Sequence, residues 1–238
     1  MTSQSTAIRT GARHRGPHPG FVAVVFTLLF CAGLYQVVSF TGKLHFPGPW
    51  EPASVIVSYF QAHPTAVLLC AFLQFGAAVP LGIFTATMVS RLRFMGIRVA
   101  GAEIALFGGL ATSFTVAASA LILWVMAYPG IAQDAGVLRA LYYLMFAFGG
   151  PGFSVPFGLL MAGVSISAGL TKLLPKWIAV LGIVLAVAGE LSWFSLILPQ
   201  ALFLIPLTRF PGFVWMIAAG FALPSSIAGQ DSMRSKVA

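Results

Sequence analysis

Six stretches of the chain are nearly free of charge and approach the length of a bilayer crossing: Phe21 to Phe40, Thr65 to Val89, Ala102 to Ala127, Val137 to Leu170, Trp177 to Leu198 and Phe213 to Ala228. A spanning helix needs about 20 largely apolar residues, so the pattern predicts an all-α, polytopic bundle of six transmembrane helices. Two runs depart from that length. The fourth, as one unbroken helix, would be about 51 Å long against a hydrocarbon core of about 30 Å. The sixth is short and must continue through Ile227 and Ala228.

Within the fourth run lies FGGPGFSVPFG, Phe148 to Gly158, where Gly149, Gly150, Pro151 and Gly152 are followed by Pro156. Proline removes a backbone donor and disrupts the preceding turn. In lipid the freed carbonyls must be met by other helices, side chains or water, and Ser154 is the nearest candidate. Interrupted helices at mid-membrane point to transporter sites, but Gly and Pro also simply kink and pack membrane helices. The second span carries an echo, FGAAVPLGIF from Phe75 to Phe84. A parallel repeat of two-helix hairpins and a chance likeness between two Gly-, Val- and Leu-rich segments both account for it.

The charges give an orientation. Arg9, Arg13, Arg15, Arg91, Arg93, Arg98, Lys172, Lys176, Arg234 and Lys236 fall on one side of a six-span chain, and Lys43, Arg139 and Arg209 on the other. The positive-inside rule then places both termini in the cytoplasm of an inner (plasma) membrane. The five tyrosines, with Trp50 and Trp124, fall toward the outer ends of the spans, as an interfacial aromatic belt would. Residues 1–19 predict a basic, disordered cytoplasmic tail, residues 20–228 the transmembrane domain with an outer loop over 41–64, and residues 229–238 a cytoplasmic C-terminal tail. A short helix is expected from Pro52, since Val55, Ile56, Tyr59 and Phe60 share one helical face. It would lie on the outer leaflet, cap the bundle, or serve as a ligand lid. The first span is expected to remain uncleaved, because no A-x-A site follows it and bulky Phe30 precedes Cys31. Cys31 and Cys70 sit at different depths, so no disulfide is expected.

Composition removes other classes. At 59% hydrophobic and 8% charged residues, with a mean hydropathy of +0.96, the chain is no soluble domain. Its net charge of +8 lies in short clusters between apolar runs, unlike a nucleic-acid surface. None of the familiar nucleotide, metalloprotease, dithiol or serine-hydrolase motifs occurs, so no enzyme, cofactor or metal site is expected. All four histidines lie outside the spans, and His14 and His18 fall in the N-terminal tail.

One acid is deep. Glu190 stands about 12 Å in from the outer end of the fifth span, and an ionisable group there should face the bundle interior or water, or be protonated. Gly182, Ala186 and Glu190 repeat every four residues with Gly189 beside them, a small-residue face for close helix approach. Gln74 and Ser119 lie at comparable depth, and Arg139 is placed to reach down from the outer end of the fourth span. These four residues make either a proton or cation site or a structural interhelix hydrogen bond. Glu51, Asp134 and Glu103 read as solvated or interfacial.

From LRALYYLMFAFGGPGF (Leu138 to Phe153) through the turn LPKW (Leu174 to Trp177) to FPGFVWMIAAGFALP (Phe210 to Pro224), the chain resembles bacterial multi-pass proteins that share a membrane domain of unknown function. The resemblance covers roughly the last hundred residues and implies class and topology, without an activity or a site. The lipid bilayer is the partner that composition demands. Two functions remain open: transport of a small solute, including proton-coupled transport, and a non-transporting scaffold, sensor or subunit that packs against another membrane protein or a second copy.

Overall fold

The computed structural model describes residues 13–38 and 45–226. The expected tail over residues 1–12, Lys43, the last residues of the sixth run (Ile227 and Ala228) and the C-terminal tail lie outside the described residues. Nine α-helices are described: α1 Pro19–Val37, α2 Ala53–Ala62, α3 Pro64–Phe94, α4 Ala100–Met126, α5 Pro129–Gln133, α6 Ala135–Gly149, α7 Pro151–Leu170, α8 Lys176–Leu191 and α9 Leu204–Ala222. Two 3₁₀ segments, Ser192–Leu196 and Pro199–Phe203, join α8 to α9. Proline occupies the first turn of α1, α3, α5 and α7, where its missing N–H has no intrahelical partner to lose. Six stretches are long and apolar enough to span a membrane, with α6 and α7 together forming the fourth. The chain is a multi-pass membrane protein.

The crossings form a closed ring in chain order: α1 packs on α3, α3 on α4, α4 on α7, α7 on α8, α8 on α9, and α9 returns to α1. The fourth crossing also touches α3 and α9 across the ring. Its apolar window is 61% buried, against 33–44% for the other five, so it runs through the interior while the others present more of their surface to lipid. Gly150 separates its two halves. A Cβ at Gly150 would sit 2.7 Å from the Phe146 carbonyl oxygen, which only glycine avoids.

The sixth crossing differs from expectation. Its helix starts at Leu204, not Phe213, and ends at Ala222. The segment Pro206 to Pro211 looked like a loop because two prolines flank Thr208 and Arg209. Pro206 is harmless in the first helical turn, Pro211 is carried inside α9, and Arg209 therefore lies within the span and not in an outer loop.

The two described ends of the chain meet at one end of the bundle. Arg13 forms an isolated β-bridge with Ser226, and the His14 amide donates to the Ser225 carbonyl at 2.8 Å. His14 Nε2 lies 2.9 Å from Ser90 Oγ, and His18 Nδ1 accepts from the Gly20 amide at 3.2 Å to cap α1. Burial, with the nearby Arg91 charge, holds both imidazoles below their ordinary range. Residues 13–18, which composition alone assigns to a tail, belong to this folded end. Arg91, counted with the loop charges, lies buried in the last turn of α3 and donates to the Leu223 carbonyl at 3.0 Å. It thereby caps the C-terminus of α9, where a cation is favoured.

Candidate functional site

A cavity of about 360 Å³ lies at the opposite, loop end, between α1, α3, α4, α6, the start of α7 and α9. Its walls are apolar, with Phe30, Leu34, Val116, Leu123, Phe146 and Ile205 contributing. Gly149 and Gly150 line it, so the break in the fourth crossing forms part of its surface.

Where α6 stops, its last carbonyls need donors from outside the helix. The Gly150 amide meets the Phe146 carbonyl at 2.7 Å, Arg209 Nη2 of α9 donates to the Gly149 carbonyl, and Ser119 of α4 adds a bond to the Met145 carbonyl one turn back at 3.0 Å. The guanidinium of Arg209 also lies over two rings, 4.8 Å from the centroid of Phe153 and 5.5 Å from that of Phe30. A helix C-terminus and two aromatic faces both favour a cation. Ser154, the candidate nearest in sequence, is buried with its hydroxyl unpartnered among the described residues. The break is thus capped from neighbouring helices.

The roof is the loop at 45–50, with His45, Phe46, Pro47, Gly48, Pro49 and Trp50 all lining the cavity. Glu51 organises it: one carboxylate oxygen accepts from the Gly48 amide at 2.6 Å and lies 2.7 Å from His45 Nε2. The Gly48 N–H and then His45 hold this carboxyl below its ordinary range. Tyr142 donates to the Pro47 carbonyl and Tyr143 makes a longer contact of 3.5 Å to that of Pro49. Helix α2 begins just after Pro52 and buries Ile56 and Phe60 completely against the bundle. Tyr59, whose phenol burial pushes up to about 12, donates to the Val37 carbonyl at 3.0 Å. Helix α2 caps the bundle, and the loop preceding it covers the cavity.

The structure brings only part of the expected site together. Gln74 and Ser119 line the cavity with Gly149 and Gly150. Pro151 opens α7 and Gly152 follows in its first turn, while Pro156 lies further along α7 where Gly108 of α4 closes on its carbonyl; these three do not line the cavity. Glu190 does not line it either. Its carboxylate lies beside Gly158 of α7, where an added Cβ would be 3.2 Å from Oε1, and that oxygen is buried without a partner among the described residues. The neighbouring Gly189 packs against Ser154 and Gly158, so this face of α8 meets α7 closely. Arg139 does not reach down; it is exposed, its guanidinium 5.9 Å from the centroid of the Tyr143 ring.

Three acids read as solvated have defined tasks: Glu51 in the roof, Asp134 as the cap accepting from the Gly136 and Val137 amides at 3.0 Å, and Glu103 paired with Arg93 at 2.6 Å. Arg209 was counted with the outer-side charges and not with the site. Its signal was the apolar run of Ala201 to Ile205 ahead of it, outweighed by Pro206 and Pro211 on either side. No family model matches the chain, and neither a curated protein nor a solved structure shows significant similarity to it.

Proposed function

We propose that this is a solute-binding membrane protein of the carrier or sensor type, seated in a bacterial inner membrane with both termini in the cytoplasm. A small solute enters the cavity from the loop end. One observation carries this reading: the cavity meets a broken transmembrane helix whose carbonyl end is capped by a charged side chain, Arg209. Discontinuous helices are where carriers place their sites. In this reading Glu190 belongs to the α7–α8 contact and not to the solute site. The scaffold alternative draws on a groove between α3 and α4 lined by Leu68, Phe72, Phe75, Leu121 and Trp124. An acyl chain fills such a groove equally well, so the cavity at the helix break is the stronger lead.

Cys70 lines the cavity and is buried, which makes it a reporter. In a Cys31→Ser protein in lipid nanodiscs, methyl methanethiosulfonate should modify Cys70 slowly. Tyr142→Phe removes one roof hydrogen bond, and a loss of about 1 kcal/mol should speed modification about fivefold. A Cys70 modified at the same rate in both proteins would contradict a solute cavity gated by this loop.

A further inference from the structure

We propose that the cavity takes a single-chain lipophilic carboxylate, its head on Arg209 and its chain directed between Leu34 and Leu123 toward the roof. This rests on the solute-binding reading and names the class of solute. The head group follows from Arg209. A guanidinium offers five N–H donors; one bond goes to the Gly149 carbonyl, and Nε is buried without a partner among the described residues. Phe30 and Phe153 lie against the guanidinium, but aromatic rings supply no negative charge. Among the described residues the ion pairs are His45 with Glu51 and Arg93 with Glu103, so no carboxylate pairs with Arg209. Gln74 and Ser119, which line the cavity with it, are neutral.

A half-buried cation whose Nε is shut off from water and that has no counter-charge is costly, and an anion brought in by the solute offsets that cost. The planar fork of arginine matches a carboxylate through two parallel bonds. The walls decide the remainder of the molecule. They are lined by Phe30, Leu34, Val116, Leu123 and Phe146, so a bare inorganic anion would leave that apolar surface unfilled. The volume of about 360 Å³ is near the lower end of small-molecule sites, about 300–1,000 Å³. It suits one medium-length chain, not a two-chain lipid.

The test uses the full chain in phosphatidylcholine nanodiscs with radiolabelled octanoate, corrected for uptake by empty discs. Saturable binding of one octanoate per chain is expected. Arg209→Gln should weaken it about tenfold or more, with Arg209→Lys intermediate. Because Arg209→Gln also removes the cap on Gly149, Leu123→Trp serves as a second variant: it fills the cavity, keeps Arg209, and should abolish binding. In the Cys31→Ser protein octanoate should protect Cys70 from methyl methanethiosulfonate, while octanol and octylamine at equal membrane loading should not. Protection by octanol equal to that by octanoate, or octanoate binding unchanged in both variants, would overturn the carboxylate assignment and leave the solute cavity standing. Reactive Cys70 with no protection by octanoate would overturn it as well. A Cys70 that reacts at the same rate with the roof intact and loosened would instead remove the solute-binding reading itself.

Discussion

Arg209 shows how a single residue changes the meaning of its surroundings. An arginine at the centre of a spanning helix costs about 2.5–3.5 kcal/mol on insertion scales. Here the Gly149 carbonyl and the rings of Phe30 and Phe153 offset part of that cost, and the same contacts hold the two halves of the fourth crossing to α9. At the roof, Glu51 makes a prediction in pH. Its folded-state pKa is depressed below the usual 4.5, so its contribution is present above that value and is lost as pH falls through the folded pKa. Thermal unfolding should therefore show Glu51→Gln less stable than the parent at pH 7, with the gap closing as pH drops below about 4.5. Asp134→Ala, which removes the cap of α6, should cost about 1 kcal/mol in the same measurement. That Gln74 and Ser119 lie near one another was legible in the sequence, because it follows from counting along uninterrupted spans. Which serine would meet the freed carbonyls was not. Ser154 is nearer along the chain, but closure across the break depends on how α4 and α9 pack.

At the scale of elements, hydropathy located all six long apolar helices, and it misplaced both ends of the sixth, where local chemistry and burial disagreed. The prolines of the sixth span look like loop punctuation, yet α9 carries Pro211 within it. The echo between the second and fourth spans did not become a shared break. Helix α3 runs unbroken through Pro80, whereas the fourth crossing divides at Gly150. Glycines also differ by position. At Gly189 an added Cβ would fall 2.7 Å from the Ser154 carbonyl oxygen, while at Gly76 nothing lies within 4 Å. Gly189→Ala should push α8 from α7 and cost about 1–3 kcal/mol. Gly76→Ala should be neutral or stabilise by up to about 1 kcal/mol. Unfolding midpoints of the two variants, measured side by side, check the contrast.

For the whole molecule, the ring of crossings has two unlike ends. One gathers both described chain ends around Arg91, with the Arg93–Glu103 pair nearby; the other carries the roof loop, α2 and the cavity. Charge placement predicts that the first faces the cytoplasm and the second faces out. The solute reading requires the roof and the basic end to lie on opposite sides of the membrane, separated by α3. Single-cysteine variants Trp50→Cys and Arg98→Cys, in a chain lacking Cys31 and Cys70, test this in intact cells with a membrane-impermeant sulfonated methanethiosulfonate. Trp50→Cys should be modified from outside, and Arg98→Cys only after the cells are opened. Modification of both from the same side would contradict it.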